Sequence, residues 1–185
     1  MEFKDMLRQS LPLLILCGIG EIFAGRIFGG MVGFIEYLPG LIVLIPAIMG
    51  LKGNIDVTLG SRLGSAVHMG VISSDNIWCQ ETKENIYASL ALGVIMAVVA
   101  GIFADLTCRA LGLPSIGPVR LICIALMAGV IAGVILALIT VGIIIIAFKR
   151  GYDPDNVTAP ILATVGDIIT LGVIFLTAYL FIGVI

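Results

Sequence analysis

Five long apolar runs constrain this chain more than any other feature: residues 9–32, 35–51, 86–108, 118–147 and 157–183. A helix needs roughly 20 apolar residues to cross a hydrocarbon layer about 30 Å thick. In lipid the backbone must satisfy its own hydrogen bonds, so such runs fold as helices or join a closed barrel. No alternating ten-residue segments of the barrel type occur. The expected fold is an all-α integral membrane protein with five transmembrane helices. Composition agrees, since 60% of the 185 residues are hydrophobic, 12% are charged and the mean hydropathy is +1.21. A chain of this length, once it holds five spans, has room for little else. Residues 1–185 are therefore expected to form a single transmembrane domain without a cytoplasmic regulatory domain.

The formal net charge is −2 and the isoelectric point about 5.2, so no basic patch points to nucleic acid. Membrane lipid is the expected surrounding. The mixed charges of "MEFKDMLRQS" and the absence of a small-residue cleavage pattern suggest a retained N-terminus. Cys17, Cys79, Cys108 and Cys123 stand apart without a C-x-x-C pair and read as small hydrophobes, and His68 as an ordinary polar residue near the membrane. Lys4 and Arg8 of the N-terminus, Lys52, Arg62 and Lys83 of a loop over 52–85, and Lys149 and Arg150 of the fourth loop fall on one side; Arg109, Arg120 and Arg26 fall on the other. The excess of cations places the N-terminus in the cytoplasm and the C-terminus outside. An odd number of spans leaves no internal two-fold, so a symmetric pathway requires a homodimer.

The second run is short, is punctuated by Pro39 and Pro46, and meets "MGLKGNIDVT". Gly50 and Gly53 there suggest a discontinuous helix, tolerated only against protein or a water-filled path. GxxxG spacings at Gly25/Gly29, Gly29/Gly33, Gly60/Gly64 and Gly129/Gly133 permit close packing, and Trp78 suits a lipid–water boundary.

The last run, "PILATVGDIITLGVIFLTAYLFIGVI", carries one carboxylate, Asp167. It lies eleven residues beyond Asn156, about 16 Å along a helix axis and so near the bilayer centre. Insertion of an aspartate there costs about 2.5–3.5 kcal/mol, so something must hold or hydrate it. Helical spacing gives it neighbours on one stripe: Asn156, Ala159, Pro160, Ala163, Thr164, Thr170 and Leu171. A small, polar stripe resembles the wall of a narrow aqueous path, and Pro160 frees the carbonyl of Asn156 toward it. Two copies across a dimer axis would oppose two carboxylates, which repel unless a cation lies between them or they share a proton. Oxygen-only ligands favour Mg²⁺, Ca²⁺ or Mn²⁺, and a site with few carboxylates and several retained waters suits Mg²⁺. Cation transport, a proton-coupled or other solute carrier, and a structural intramembrane aspartate are the three readings these residues leave open.

Two stretches, "PAIMGLKGNIDVTLGSRLGSAVHMG" (46–70) and "DPDNVTAPILATVGDIITL" (153–171), resemble the paired signatures of the MgtE magnesium transporter membrane domain, nearest its archaeal and eukaryotic solute-carrier branch. The resemblance spans essentially the whole chain. It implies a homodimer whose pore lies at the dimer axis, with Asp167 of both subunits holding a largely hydrated Mg²⁺. Pro46, Gly50, Gly53 and Asn54 would line the path near its cytoplasmic side. Thr164, Ala163, Asn54 and Asp56 are the further candidate metal-contacting residues, through side-chain or backbone oxygens and bound water. Bacterial members resemble channels, whereas for the eukaryotic branch exchange of Mg²⁺ for Na⁺ has been argued, so Na⁺ is a candidate coupling ion. No covalent chemistry is expected.

Glu21, five residues before Arg26, reads either as a site acid or as one paired across helices. Asp56 reads as an inner-mouth ion site or as a capping or salt-bridging residue. Lys52 is expected to turn away from the path, toward the inner interface or toward Asp56. Asp105 and Arg109 suit a surface pair, and Asp153 and Asp155 suit a turn and helix start or an inner mouth that concentrates cations. A rival of another class is an intramembrane aspartyl protease, because "TVGD" at 164–167 approaches the G-x-G-D signature. Thr164 breaks that match, and the only span candidates for the second aspartate such chemistry needs are Asp105, near a membrane edge, and Asp167 of a second subunit.

Overall fold

The computed structural model describes residues 3–73, 76–150 and 154–182. Among these residues six helices follow one another: α1 (Phe3–Gly30), the short α2 (Val32–Tyr37), α3 (Leu41–His68), α4 (Gln80–Ala110), α5 (Pro118–Lys149) and α6 (Pro154–Ile182). Five segments of the described residues are long and apolar enough to cross a membrane: Ser10–Gly30, Leu41–His68, Gln80–Ala110, Pro118–Lys149 and Thr158–Ile182. Among the described residues no strand forms; one isolated bridge joins Ser73 and Asn76.

The second run departs from the expectation of a discontinuous helix. The break falls earlier, at Leu38–Gly40, where Gly40 adopts a φ of +98° that a side chain would strain. From Leu41 the helix continues unbroken through Pro46, Gly50 and Gly53 to His68. Its cause is a buried stripe at three- and four-residue steps: Leu41, Leu44, Ile45, Ile48, Lys52, Asp56, Leu59, Leu63 and Val67. Lys52 and Asp56 occupy core positions of that stripe because they neutralise each other one turn apart. Lys52 and Arg62 thus belong to a helix and not to a loop, as the reading of 52–85 as a connection had supposed.

α5 is the centre of the bundle. Its buried line, Leu121, Ile124, Ala125, Ala128, Ala132, Leu136 and Ala137, alternates small and large residues. α4 lies antiparallel along it at close range: a Cβ on Gly101 would sit 2.7 Å from the backbone of Ile122, and one on Gly129 3.5 Å from Ala97 Cβ. Of the GxxxG spacings, Gly129/Gly133 and Gly60 lie at such contacts, whereas Gly25, Gly29 and Gly33 face open space. A second apolar cluster, built on Leu59, Leu63, Val67, Ile72, Ala137, Val141 and Ile144, ties the end of α3 to α5 beside the 69–79 connection.

α6 packs between α5 and α1 and also lies against α3. At its far end Phe34 of α2 meets Phe175 edge-on, with ring centroids 5.0 Å apart. α1 is the outlying helix. It packs on α6, and Leu11, Leu14, Ile15, Leu16, Ile19, Ile22 and Phe23 are exposed, as suits lipid or a neighbouring chain.

Candidate cation groove between α3 and α6

Gly60 brings α3 and α6 together at one point, where a Cβ would lie 3.0 Å from both Leu162 and Thr158 side chains. On one side of this contact the helices leave a groove of about 530 Å³, open to the surface. α3 lines it with Met49, Gly50, Gly53, Asn54, Val57 and Thr58; α6 lines it with Ala163 and Asp167. Gly50 and Gly53 have nothing within 4 Å of where a Cβ would stand, so their missing side chains are groove volume. The Thr58 hydroxyl donates to the Asn54 carbonyl at 2.7 Å, setting two oxygens along one wall. Asp167 is half-buried at the middle of α6 and faces this space.

The stripe read around Asp167 divides between two neighbours. Ala163 and Asp167 face the groove, while Thr164 is buried against Gly20 of α1. α1 and α6 run parallel in register here: the Cys17 thiol donates to the Pro160 carbonyl at 3.5 Å and Gly20 receives Thr164, which sets exposed Glu21, the next residue of α1, beside the turn of α6 that carries Asp167. Glu21 makes no ion pair among the described residues, with Arg26 or any other cation.

Of the residues singled out from the sequence, the fold brings together Asp167, Ala163 and Asn54. Asp56 lies elsewhere, on the far side of α3, 1% exposed and paired with Lys52 beside Gly133 of α5. Lys52 accordingly turns away from the groove and toward Asp56, as expected. Pro46 is exposed one turn before the groove. Asp105 is buried, and both Arg109 (2.7 Å) and the Ser115 hydroxyl (2.6 Å) donate to it. Asp153 and the side chains of Asp155 and Asn156 lie outside the described residues. Thr58, Met49 and Val57 escaped the sequence reading. Their signal was the step of three and four from Gly50, Gly53 and Asn54, visible only once α3 is taken as continuous.

Among the described residues no three His, Cys, Asp or Glu side chains converge as a metal cage. A wide, sparsely charged groove of this kind suits an ion that keeps most of its water and moves on. The fold and groove thus define a multi-pass helical membrane protein with a midspan acid facing a small-residue path. The MgtE family, described as divalent cation transporter, matches residues 45–177, and the chain belongs to that family. It is 34% identical over 177 residues to solute carrier family 41 member 2 of Xenopus laevis, covering 91% of this chain and 31% of that protein. The human member 2 gives 34% identity over 91% of this chain and 30% of its own length. Solute carrier family 41 member 3 of Rattus norvegicus gives 32% over 180 residues, 93% of this chain and 38% of that protein. The chain spans about a third of the length of these relatives. No solved structure matches.

Proposed function

We propose that this chain moves divalent cations, Mg²⁺ foremost, across a membrane along the groove between α3 and α6. The observation that carries the reading is Asp167, a lone acid at the middle of α6, facing a wall made of Gly50, Gly53 and Asn54. Asp167 supplies charge, while Asn54 and the backbone oxygens around Ala163 supply neutral ligands or hold the ion's waters. Thr164 acts through position, keeping α1 and α6 in register. Asp56 serves the path indirectly, by keeping the Lys52 ammonium out of it.

A second copy of the chain closes the groove. A path open along one side would leave a hydrated ion beside lipid, where polar groups are costly. Two copies related by a two-fold axis would face their grooves and set both Asp167 carboxylates around one ion. In this reading that end of the bundle and the N-terminus lie in the cytoplasm, supported by the excess of cations at Arg62, Lys83, Lys149 and Arg150. Residues 1–185 then act as one transport domain.

Reconstitution tests the reading. Proteoliposomes loaded with a Mg²⁺ indicator should take up Mg²⁺ when it is added outside, and empty liposomes should not. An imposed Na⁺ gradient that changes the rate would make the protein an exchanger. A rate set by the Mg²⁺ gradient and voltage alone would make it a channel. Purified protein that carries no divalent cation under any of these gradients contradicts the proposal.

A further inference from the structure

We infer that Glu21 of α1 is a second carboxylate of the cation site, so that each chain offers the ion an α1–α6 acid pair and not Asp167 alone. The inference rests on the reading of Asp167 as that site.

Glu21 lies midway along the apolar segment Ser10–Gly30, where an acid is costly unless it has a partner. Its placement follows from two successive contacts in parallel register, Cys17 with Pro160 and Gly20 with Thr164, which bring the next residue of α1, Glu21, beside the turn of α6 that carries Asp167. Gly20 makes the approach close, because any side chain there would collide with the Thr164 methyl. Arg26 is no counter-ion, since five residues along a helix turn it about 140° away. Among the described residues neither acid has a cation of its own. Glu21 thus stands beside another carboxylate, an arrangement that repels unless a cation lies between the two or they share a proton. The MgtE family moves such a cation, and the groove beside Asp167 gives it room.

The chemistry sharpens selectivity. One acid per chain holds a hydrated divalent ion loosely; two acids on adjoining helices raise the local field, which favours divalent over monovalent cations. Because Glu21 stands on the outlying helix, a small shift of α1 along α6 would change the field without disturbing the α3–α5 core.

Mg²⁺ uptake into proteoliposomes, measured against Mg²⁺ concentration, tests this for Glu21→Gln, Glu21→Asp and Asp167→Asn. We expect Glu21→Gln to raise the concentration for half-maximal uptake about tenfold or more, the loss of one charged contact. Glu21→Asp should recover part of it. A second readout does not depend on Glu21→Gln folding: on a Cys17→Ser background, Glu21→Cys should make uptake sensitive to micromolar Cd²⁺, a thiolate-seeking ion. Wild-type half-saturation in Glu21→Gln together with no Cd²⁺ block in Glu21→Cys overturns the inference. If Asp167→Asn abolishes uptake in that same series, the site reading stands and only the role of Glu21 is lost. If Asp167→Asn transports normally, the site reading fails and the inference fails with it.

Discussion

Lys52 and Asp56 form an ion pair one turn apart on α3, enclosed by α4 and α5 and turned roughly opposite to Asn54 on the same helix. One helix thus presents a wet face to the groove and a charged but neutralised face to the core. Among the described residues the second Asp56 oxygen is buried without a hydrogen-bond partner. Removing one member of such a pair strands the other, a loss of about 3–5 kcal/mol. Lys52→Met should therefore lower the melting midpoint in detergent sharply. Lys52→Met combined with Asp56→Leu should recover most of it. Equal destabilisation by the single and double changes would show that the pair does not act as a unit.

Gly53 separates packing from permeation. Nothing stands within 4 Å of its absent Cβ, so a β-carbon there meets no neighbour and a longer side chain extends into the groove that Gly53 lines. Gly53→Leu is expected to reduce Mg²⁺ flux by about an order of magnitude through narrowing of the path. Its melting midpoint should stay at or above the wild-type value, because glycine is a poor helix former. Undiminished flux would place the path elsewhere.

Gly101 makes the opposite prediction. Its Cβ would lie 2.7 Å from the Cα and N of Ile122, and backbone cannot swing aside as a side chain can. Gly101→Ala should cost about 1–3 kcal/mol by overpacking α4 against α5. Gly25→Ala, in open space, should be neutral or stabilising by up to about 1 kcal/mol. Thermal melts of the two variants side by side check the contrast.

Cys79 reports on orientation. It precedes α4, outside the span, and the hydroxyl and amide of Thr82 beside it hold its thiol below the ordinary cysteine range. A lowered pKa means a larger thiolate fraction at neutral pH, so a maleimide should label Cys79 ahead of Cys17 and the buried Cys108. Thr82→Val should slow that labelling at pH 7, and the difference should fade as pH rises through the normal cysteine pKa. A membrane-impermeant reagent should reach Cys79 from the cytoplasmic side. Labelling from outside would invert the proposed topology.

Much of this architecture was legible from the chain itself, and the gaps have physical causes. The runs at 86–108, 118–147 and 157–183 declared their helices because few or no charges interrupt them, and the helices extend beyond each run. α3 did not, because Pro46, Gly50 and Gly53 read as breaks, whereas the buried stripe that runs on through the paired Lys52 and Asp56 keeps the helix continuous. Asp167, Ala163, Asn54 and the two groove glycines followed from helical spacing and from resemblance. Glu21 beside Asp167 did not follow, because it depends on how α1 is set along α6. That register comes from Gly20 receiving Thr164, a contact between residues far apart in sequence that no local periodicity encodes.

The central claim is that the Asp167 carboxylate holds the passing ion, and charge removal at constant shape tests it most directly. Mg²⁺ flux should be compared for wild type and Asp167→Asn at equal reconstituted protein, with matched elution and melting profiles confirming the fold. We predict that flux in Asp167→Asn falls to the level of empty liposomes. Flux equal to the wild type would make Asp167 a structural acid and contradict the account.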